Sequence, residues 1–303
     1  MRTILIALGG NALIKEGQAG YFEEQIKNID STTEKIAELI EQGFNVILTH
    51  GNGPQVGNLE IQMSCSEEIP KMPLDVEDAM TQGQIGYLIQ KSLRNFLPEK
   101  EIVSITTEIE VNQKDSAFQN PSKPIGPFYS KEKIERLKIK NFIEDAGRGY
   151  RKVVASPQPK KIIQLKTIKE LIKKEIIVIC CGGGGIPVIK KENKWTGIEA
   201  VIDKDKASQL LANSLGIKEM VILTDVEFVY LNYKKENQKE LRKVKAKELK
   251  KLMEKGEFAK GSMKPKIESC INFIENGGKK AVITSLDKLL SAIEGKTGTE
   301  ITE

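Results

Sequence analysis

Short apolar runs alternate along the chain with stretches in which apolar residues recur at helical spacing. The runs at residues 3–8, 45–49 and 176–181 predict buried strands. The clearest helical stretch covers residues 76–96. Repeated strand–helix–strand units of this kind predict an α/β fold, with a mostly parallel sheet that helices cover on both faces.

The same pattern predicts where helices begin and which residues they bury. Ser31 and Glu34 have the spacing of a capping box, so the first long helix is predicted to begin there. Pro54 is predicted to lie in the first turn of the second helix, because proline is favoured at that position. The third helix is predicted to bury an apolar stripe that consists of Met80, Ile85, Leu88, Ile89 and Leu93.

Further elements are predicted in the second half of the chain. The expected helices cover residues 203–215, 249–253 and 267–274, and the expected strands cover residues 220–224 and 281–284. The charged stretch 233–245 is predicted to be an exposed hairpin or loop.

Residues 108–151 interrupt the alternation of strands and helices. The segment is polar and contains the closely spaced turn residues Pro121, Pro124, Gly126 and Pro127. It is longer than an ordinary connection, which predicts a lid or a small appended subdomain. A surface excursion without function is the alternative. Residues 153–156 are predicted to resume the main sheet.

The composition is that of an ordinary globular chain, and it narrows the classes of partner. Of the 303 residues, 39% are hydrophobic and 29% are charged, and the net charge is +5. The basic excess suits anionic substrates. Nucleic-acid binding is not expected, because aromatic residues make up only 5% and lysines alternate with glutamates. No apolar run approaches the ~20 residues that span a bilayer, and no signal peptide is recognisable, so we expect a cytoplasmic protein without a membrane partner.

The four cysteines give no sign of a metal centre. Cys65, Cys180, Cys181 and Cys270 form neither a CxxC motif nor a cluster with the single histidine. Zinc is therefore not expected, and the cysteines are predicted to be buried, reduced thiols.

Three of the predicted strands end in glycine-rich turns: Gly9-Gly10-Asn11, Gly51-Asn52-Gly53 and the run 182–185. Glycine lets backbone N–H groups approach a ligand with no Cβ in the way. Strand ends of an open α/β sheet border the ligand crevice, where nested amides and helix N-termini bind anions. The turns therefore predict an enzyme that acts on phosphorylated ligands.

The common nucleotide-binding motifs are absent from the sequence. The chain has no G-x-x-x-x-G-K-[ST] loop, and residues 51–57 are one residue too long for the dinucleotide motif G-x-G-x-x-G. The H-R-D and D-F-G motifs of protein kinases are missing as well. A phosphate site in this chain must therefore be built in another way.

Lysines at predicted helix N-termini are the strongest candidates for chemistry. Lys204, within Asp203-Lys204-Asp205, and Lys266 both lie where a helix is predicted to begin. A cation is disfavoured at the positive end of a helix unless an anion binds there. The two lysines therefore predict a polyphosphate site, while helix capping is the alternative for the two carboxylates.

Two further side chains have open interpretations. Lys123, in the inserted segment, is either a solvated lysine or a lid residue that reaches over the crevice. His50 could act as a base, but a structural hydrogen bond is the preferred interpretation, because the glycines beside it explain the turn.

A series of motifs in this order resembles the carbamate kinases of the amino-acid-kinase superfamily, over nearly the whole chain. The motifs are ALGGNA at 7–12, HGNGPQVG at 50–57, MTQG at 80–83, NPSKPIGP at 120–127, DAGRG at 145–149, GGGGIP at 182–187, EAVIDKD at 199–205 and GSMKPKI at 261–267. Together they are far more specific than any one of them alone.

The resemblance implies a three-layer αβα sandwich with a mostly parallel central sheet and a single kinase domain over residues 1–303. Residues 1–107 and 152–215 would hold mainly carbamate and the phosphoryl group, 108–151 would form a protruding lid subdomain, and 216–303 would hold mainly the nucleotide. The implied reaction is reversible phosphoryl transfer between ATP and carbamate, giving ADP and carbamoyl phosphate. ATP and ADP would be substrates, Mg²⁺ would arrive on the nucleotide with no metal site in the protein, and the chain would form homodimers.

The resemblance also implies roles for single residues. Those for carbamate and the phosphoryl group are Gly9, Gly10, Asn11, Gly51, Asn52 and Gly53, through backbone amides and side-chain amides. Lys204 and Lys266 would neutralise the phosphoryl oxygens, Asp205 would orient both lysines, and Lys123 would supply a charge that many relatives place on the first strand. The residues for the nucleotide side are Asp225, Tyr230, Tyr233, Met263 and Lys266, and the run 182–185 would shape the crevice floor near the nucleotide.

Three alternatives remain at this point. Another kinase of the superfamily would act on a larger substrate, and a silent nucleotide sensor would have lost the charged residues. The same chemistry also runs in two directions: ATP formation from carbamoyl phosphate in arginine or related nitrogen catabolism is expected, and synthesis of carbamoyl phosphate is the alternative.

Overall fold

The computed structural model describes residues 2–15, 17–63, 65–66, 68–137, 142–144, 149–258 and 263–303. The chain first forms β1 (Arg2–Leu8), α1 (Phe22–Glu41), β2 (Phe44–His50), α2 (Gly53–Met63), α3 (Leu74–Phe96) and β3 (Ile102–Ser104). The middle part forms β4 (Glu108–Val111), β5 (Lys123–Tyr129), α4 (Lys131–Leu137), β6 (Phe142–Glu144), β7 (Tyr150–Val154), β8 (Pro159–Ile162), α5 (Leu165–Lys173) and β9 (Ile177–Ile179). The last part forms β10 (Ile186–Lys191), β11 (Lys194–Gly197), α6 (Lys204–Leu215), β12 (Glu219–Thr224), β13 (Val229–Leu231), β14 (Lys239–Leu241), β15 (Lys243–Lys245), α7 (Ala246–Glu254), α8 (Met263–Glu275), β16 (Lys280–Ser285), α9 (Leu289–Ile293) and β17 (Thr299–Thr302).

An eight-stranded sheet lies at the centre of the fold, with the strand order β15-β17-β16-β12-β1-β2-β9-β3. Strand β1 pairs in parallel with both β2 and β12, while β16 and β17 pair antiparallel. The chain first builds the sheet on the β2 side of β1 and later on the β12 side, so the strand order reverses at β1. Ligands of such sheets bind outside the carboxyl ends of the strands at the reversal.

Two apolar cores cover the two faces of this sheet. Along β1, Ile4, Ile6 and Leu8 face the core that holds α1, α3 and α9, while Leu5 and Ala7 face the core that holds α5 to α8. Successive side chains of a strand point to opposite faces, so the continuous apolar run of β1 fits a strand that is buried on both sides. The predicted α/β fold, with a mostly parallel sheet between layers of helices, is confirmed.

The described strands within residues 108–151 belong to two smaller sheets. Strand β4 joins β8, β10 and β11, and β5, β6 and β7 form a three-stranded sheet. The prediction that residues 153–156 resume the main sheet is wrong, because Val153 and Val154 pair with Pro124 and Lys123 of β5. The lid function of residues 108–151 and the division of the chain into two binding lobes stay predictions.

A contact between two glycines holds the three-stranded sheet against α2. A Cβ atom on Gly57 of α2 would lie 2.0 Å from the Cα atom of Gly126 in β5. Gly126 has a φ angle of +72°, a conformation that favours glycine. The Arg151 Nε atom also donates to the Gly126 carbonyl oxygen over 2.9 Å. The close approach places the strand that carries Lys123 beside the helix that begins at Gly53.

Two helices differ from their predictions. Helix α1 begins at Phe22 rather than at Ser31. The Glu24 carboxylate caps this earlier start, because it accepts a hydrogen bond from the Tyr21 N–H over 2.9 Å. In α3, the Met80 side chain is 45% exposed, whereas the rest of the predicted stripe is buried. Helical periodicity identified the helix but not the full extent of its apolar face.

The remaining predicted helices and strands of the second half are confirmed within a few residues. The charged stretch 233–245 includes the tip of an antiparallel hairpin between β13 and β14. No helix within the described ranges is both long and apolar enough to cross a membrane.

Candidate active site

Two of the glycine turns lie side by side at the carboxyl edge of the main sheet. The N–H of Gly51, after β2, donates to the carbonyl of Leu8 in β1 (3.3 Å). A Cβ atom on Gly9 would lie 2.6 Å from the carbonyl oxygen of Leu223 in β12. Glycine therefore permits close contact at the point where the strand order reverses. The structure brings these two predicted anion-binding turns together.

Other predicted residues of these turns start helical segments. Gly53 is the first residue of α2, followed by Pro54 as predicted. Gly10 and the backbone of Asn11 belong to a short 3₁₀ turn, Gly10–Ala12. The Asn11 side chain lies outside the described part of the structure. The positive end of α2 therefore lies at the same edge as the two turns.

The third glycine turn packs against the second one. Gly183 and Gly184 have φ angles of +67° and +103°. A Cβ atom on Gly183 would lie 2.3 Å from Asn52 Nδ2, and one on Gly184 would lie 2.1 Å from the Ile202 carbonyl oxygen. The turn thus packs against the Asn52 side chain and against the backbone that leads into Asp203. Its predicted place on the crevice floor near the nucleotide stays a prediction.

A buried carboxylate joins two of the predicted lysines. Asp205, in the first turn of α6, accepts a hydrogen bond from Lys204 Nζ at Oδ1 and another from Lys266 Nζ at Oδ2, the second over 2.9 Å. The Asp205 side chain is only 3% exposed. Lys266 comes from the first turn of α8, so the N-termini of two helices meet at one carboxylate.

The third predicted lysine reaches the N-terminus of α6. Lys123, the first residue of β5, has its Nζ atom 2.6 Å from Asp203 Oδ2. Asp203 also caps α6, because its Oδ1 atom accepts from the Asp205 N–H over 2.9 Å. Sequence reasoning missed the ion pair of Asp203, since a carboxylate before a helix is already explained by capping. The predicted catalytic residues are thus held in one cluster by two aspartates.

The charges in this cluster depend on one another. Burial alone would raise the pKa of Asp205, but the Lys204 and Lys266 ammonium groups hold it well below its usual range. Burial also favours neutral Lys266, yet the Asp205 carboxylate outweighs it and raises the pKa of Lys266. Burial lowers the pKa of Lys204 below its ordinary value, and Asp205 only partly opposes this. Two cations share one anion, so the cluster suits a further anion.

His50 is a buried residue whose ring contacts the second and third glycine turns. Its Nδ1 atom lies 3.0 Å from the Gly51 carbonyl oxygen, and a Cβ atom on Gly182 would lie 2.4 Å from its Nε2 atom. Burial lowers the pKa of His50 to about 4, and the Lys204 charge adds to the shift. The ring is neutral at pH 7, in agreement with the preferred structural interpretation.

The MTQG motif provides a support that sequence reasoning did not assign. Asn52 Nδ2 donates to Asp78 Oδ1 and to Thr81 Oγ1, each over 2.9 Å. Gln82 Nε2 donates to the Gly182 carbonyl (2.9 Å), and Gln82 Oε1 accepts from the Thr107 N–H (2.8 Å). Helix α3 therefore fixes both the second and the third glycine turn. The motif was visible in the sequence, but nothing there indicated what its side chains contact.

The predicted nucleotide-binding residues lie on the β12 side of the site. Asp225 follows β12 directly, and its charge acts on Lys266. The rings of Tyr230 and Tyr233 stack, with centroids 5.9 Å apart. Met263 begins α8 and packs against the core of α5 to α8. A role of these residues in nucleotide binding stays a prediction.

Parts of two predicted motifs cannot be placed in the site. Gly261 and Ser262, before α8, lie outside the described residues. The same is true of residues 145–148 in the DAGRG motif.

The fold and the cluster agree with what sequence similarity shows. A sequence model of the amino acid kinase family matches residues 2–285. The chain therefore belongs to the amino acid kinase family.

Carbamate kinases of this family are similar to the chain over nearly its whole length, so the predicted resemblance to them is confirmed. The carbamate kinase of Pyrococcus horikoshii is 48% identical over 309 residues, covering 99% of this chain and 98% of that protein. The carbamate kinase of Trichomonas vaginalis is 45% identical, with 98% of each chain covered. A structure of the Giardia lamblia carbamate kinase bound to AMP-PNP superimposes with a TM-score of 0.91 at 40% identity, covering 99% of this chain and 98% of that one.

Proposed function

We propose that this chain is a carbamate kinase, which transfers a phosphoryl group reversibly between ATP and carbamate. The observation that carries the proposal is a pair of lysines with little exposed surface, Lys204 and Lys266, on the single Asp205 carboxylate. Full-length similarity to carbamate kinases supports carbamate as the acceptor. The AMP-PNP in the Giardia lamblia structure supports ATP and ADP as the nucleotides.

The reaction needs positioned charge more than it needs a nucleophilic side chain. During ATP formation, an oxygen of the ADP β-phosphate bonds to the phosphorus of carbamoyl phosphate. The bond from that phosphorus to the carbamate oxygen breaks, and carbamate leaves with the electron pair. Lys204 and Lys266 neutralise the charge on the moving phosphoryl oxygens. In the reverse direction carbamate is already an anion, so no general base is required.

Lys123 supplies a third positive charge in this proposal. Its ion pair with Asp203 places its ammonium group at the N-terminus of α6, beside the two buried lysines. The Lys123 side chain is 32% exposed, so it is open to an arriving anion. The glycine turns after β1 and β2 offer backbone N–H groups for the oxygens of carbamate and of the phosphoryl group.

Mg²⁺ enters this proposal as part of the nucleotide substrate. Both carboxylate oxygens of Asp205 already accept hydrogen bonds from lysines, which argues against Asp205 as a metal ligand. Among the described residues, no three histidine, cysteine or acidic side chains are grouped as metal ligands. The residues of the site thus fit a metal ion that is held by the phosphate oxygens of the nucleotide. Such an ion would neutralise negative charge on the phosphates.

A homodimer and a cytoplasmic location belong to the same proposal. Val76, Met80 and Tyr87 lie at helical spacing along one side of α3, and 36%, 45% and 60% of their surfaces are exposed. Such a stripe is suited to burial against a second copy of the chain. The prediction of buried thiols is wrong for Cys65, which is exposed. The buried free thiols Cys180, Cys181 and Cys270 support a reducing compartment.

An ATP-formation assay tests the proposed activity. Purified protein is mixed with ADP, carbamoyl phosphate and Mg²⁺, and the ATP produced is measured with a coupled enzyme. We expect ATP to form well above the level of a mixture without protein, and we expect the Lys266→Ala variant to lose ~100–1000-fold in kcat. ATP output equal to that of the mixture without protein would overturn the proposal.

A further inference from the structure

The orientation of the Asn52 side chain is fixed by its neighbours on α3. Asn52 is 2% exposed, and its Nδ2 atom donates to Asp78 Oδ1 and Thr81 Oγ1. The Thr81 hydroxyl donates its one hydrogen to the Asp78 carbonyl oxygen over 2.8 Å. Thr81 Oγ1 can therefore only accept from Asn52. The atom of the Asn52 amide that faces Thr81 must be the nitrogen.

This arrangement uses both N–H bonds of the Asn52 amide. A primary amide has two donor hydrogens and one acceptor oxygen. Since Asp78 and Thr81 take both hydrogens, only Oδ1 is left to meet a ligand. No donor among the described residues bonds to Asn52 Oδ1. Asn52 was expected to hold the substrate through its side-chain amide, and its N–H groups are not available for that purpose.

Asn52 Oδ1 is an acceptor in a site that otherwise offers donors. Lys204 lies directly beside the turn, because a Cβ atom on Gly51 would be 3.3 Å from Lys204 Cδ. The lysine ammonium groups and the glycine N–H groups suit the oxygens of phosphate and carboxylate. In carbamate and carbamoyl phosphate, only the amino group has hydrogens to donate. An acceptor therefore matches the amino end of the substrate and no other part of it.

We propose that Asn52 Oδ1 accepts a hydrogen bond from the amino group of carbamoyl phosphate, and that Asp78 is the positioning residue that holds Asn52 in this orientation. The inference rests on the proposed function. Acetyl phosphate has nearly the same shape, but it carries a methyl group in place of the amino group. It leaves Asn52 Oδ1 without a donor, and sites built to hydrogen-bond a substrate group reject analogues that lack it. Asn52 thus selects a carbamoyl over an acetyl group.

The test compares kcat/KM for carbamoyl phosphate and for acetyl phosphate, with ADP and Mg²⁺, in wild type and four variants. Asn52→Ala removes the acceptor, and Asp78→Ala frees the Asn52 amide to rotate. Asp78→Asn keeps an acceptor oxygen for Asn52 Nδ2 and serves as the rescue. Glu77→Ala removes the neighbouring buried carboxylate of α3 and is the matched control. Thermal unfolding and ADP binding establish that each variant is folded.

We expect the preference for carbamoyl phosphate to fall at least ~10-fold in Asn52→Ala and Asp78→Ala. The fall should come from slower reaction of carbamoyl phosphate, and Asp78→Asn and Glu77→Ala should keep the wild-type preference. If folded Asn52→Ala and Asp78→Ala proteins lose activity equally on both substrates, the inference is overturned while the proposed function stands. Wild-type protein that forms no ATP from carbamoyl phosphate overturns both.

Discussion

Lys123 differs from the other two lysines of the site in how it is held. Lys204 and Lys266 bond to the shared carboxylate of Asp205 and have side chains that are 12% and 9% exposed, whereas Lys123 bonds to Asp203 and keeps 32% of its side chain exposed. It comes from β5 of the three-stranded sheet, outside the main sheet. In the proposed reaction, its charge would therefore act on the transferred group from a more exposed position than the charges of the other two lysines.

We predict that Lys123→Ala lowers kcat ~100–1000-fold, because one charge that stabilises the moving phosphoryl group is lost. The KM for ADP should change little, since Lys123 bonds to Asp203 and is expected to reach only the transferred group. Steady-state kinetics in the ATP-forming direction provide both numbers. Full turnover by the variant would show that phosphoryl transfer does not need the Lys123 charge. Lys131→Ala, an exposed lysine on α4, is the control.

His50 gives the protein a definite dependence of stability on pH. Its pKa is about 4 in the folded protein and 6.5 as an ordinary imidazole, so below pH 6.5 the unfolded chain binds the extra proton more readily. The contribution of neutral His50 to the free energy of unfolding therefore has its full value above pH 6.5. It decreases as the pH falls from 6.5 towards 4.

We predict that this loss amounts to ~3 kcal/mol for wild type, from the conversion of a pKa shift to free energy. The prediction is checked by urea unfolding at several pH values for wild type and His50→Asn. Other acidic groups contribute equally to both proteins, so the difference between the two curves isolates His50. Parallel curves across this range would contradict the prediction.

At the scale of elements, the glycine contact between α2 and β5 couples a helix of the main fold to the strand of Lys123. A Cβ atom added to Gly57 would lie only 2.0 Å from Gly126 Cα. The Gly126 Cα atom belongs to the backbone and cannot rotate away as a side chain can. Any larger residue at Gly57 must separate α2 from β5. The position of Lys123 therefore depends on a residue in another element.

We predict that Gly57→Ala lowers kcat strongly while the KM for ADP stays close to the wild-type value, as in Lys123→Ala. The reason is displacement of β5 rather than loss of a charge. Asn58→Ala, on the exposed side of the same helix, should behave like wild type in the same assay. A Gly57→Ala protein with wild-type kcat would show that Lys123 does not rely on this contact.

Sequence reasoning located the elements that have a continuous apolar run or a regular helical pattern, but it did not identify every boundary and pairing partner. The start of α1 was missed because Thr32 and Thr33 fit inside the helix, where their hydroxyls donate to the Asn28 and Ile29 carbonyls over 2.8 and 2.9 Å. Residues 153–156 were assigned to the wrong sheet, since a short apolar run does not specify its pairing partner.

The site was predictable only in part, because a sequence pattern does not specify which distant residues come into contact. Glycines after buried strands and lysines at helix N-termini stand out in sequence. The ion pair of Lys123 with Asp203 joins residues 80 positions apart, and the support of Asn52 by Asp78 crosses 26 positions. Such contacts depend on how distant elements pack, and a single sequence does not encode them in any local pattern.

At the scale of the whole molecule, Met80 connects a wrong prediction to the proposed assembly. The helical pattern places Met80 in an apolar stripe, yet in the single chain it is 45% exposed. Together with Val76 and Tyr87 it forms a surface that the proposed homodimer would cover. A residue with a core-like pattern and an exposed position is what an interface between copies produces.

We predict that wild-type protein is a dimer and that the double variant Met80→Glu, Tyr87→Glu is a monomer, because charged residues cannot be buried there without partners. Sedimentation analysis at several concentrations measures the oligomeric state. Lys169→Glu, an exposed substitution on α5, should leave the dimer intact. A monomeric wild type would contradict the proposed assembly, and a dimeric double variant would place the interface elsewhere.

The position of β1 between β2 and β12 determines when the site comes into existence. A chain still being synthesised can pair β1 with β2 as soon as the first strands emerge, but β12 begins only at Glu219 and the second lysine lies at Lys266. Pairing between segments so far apart is slow. Nascent chains therefore lack β12 and Lys266 for most of their synthesis, and the residues predicted to hold the nucleotide are made nearly at the end. Retention on an immobilised nucleotide would thus separate finished molecules from truncated ones.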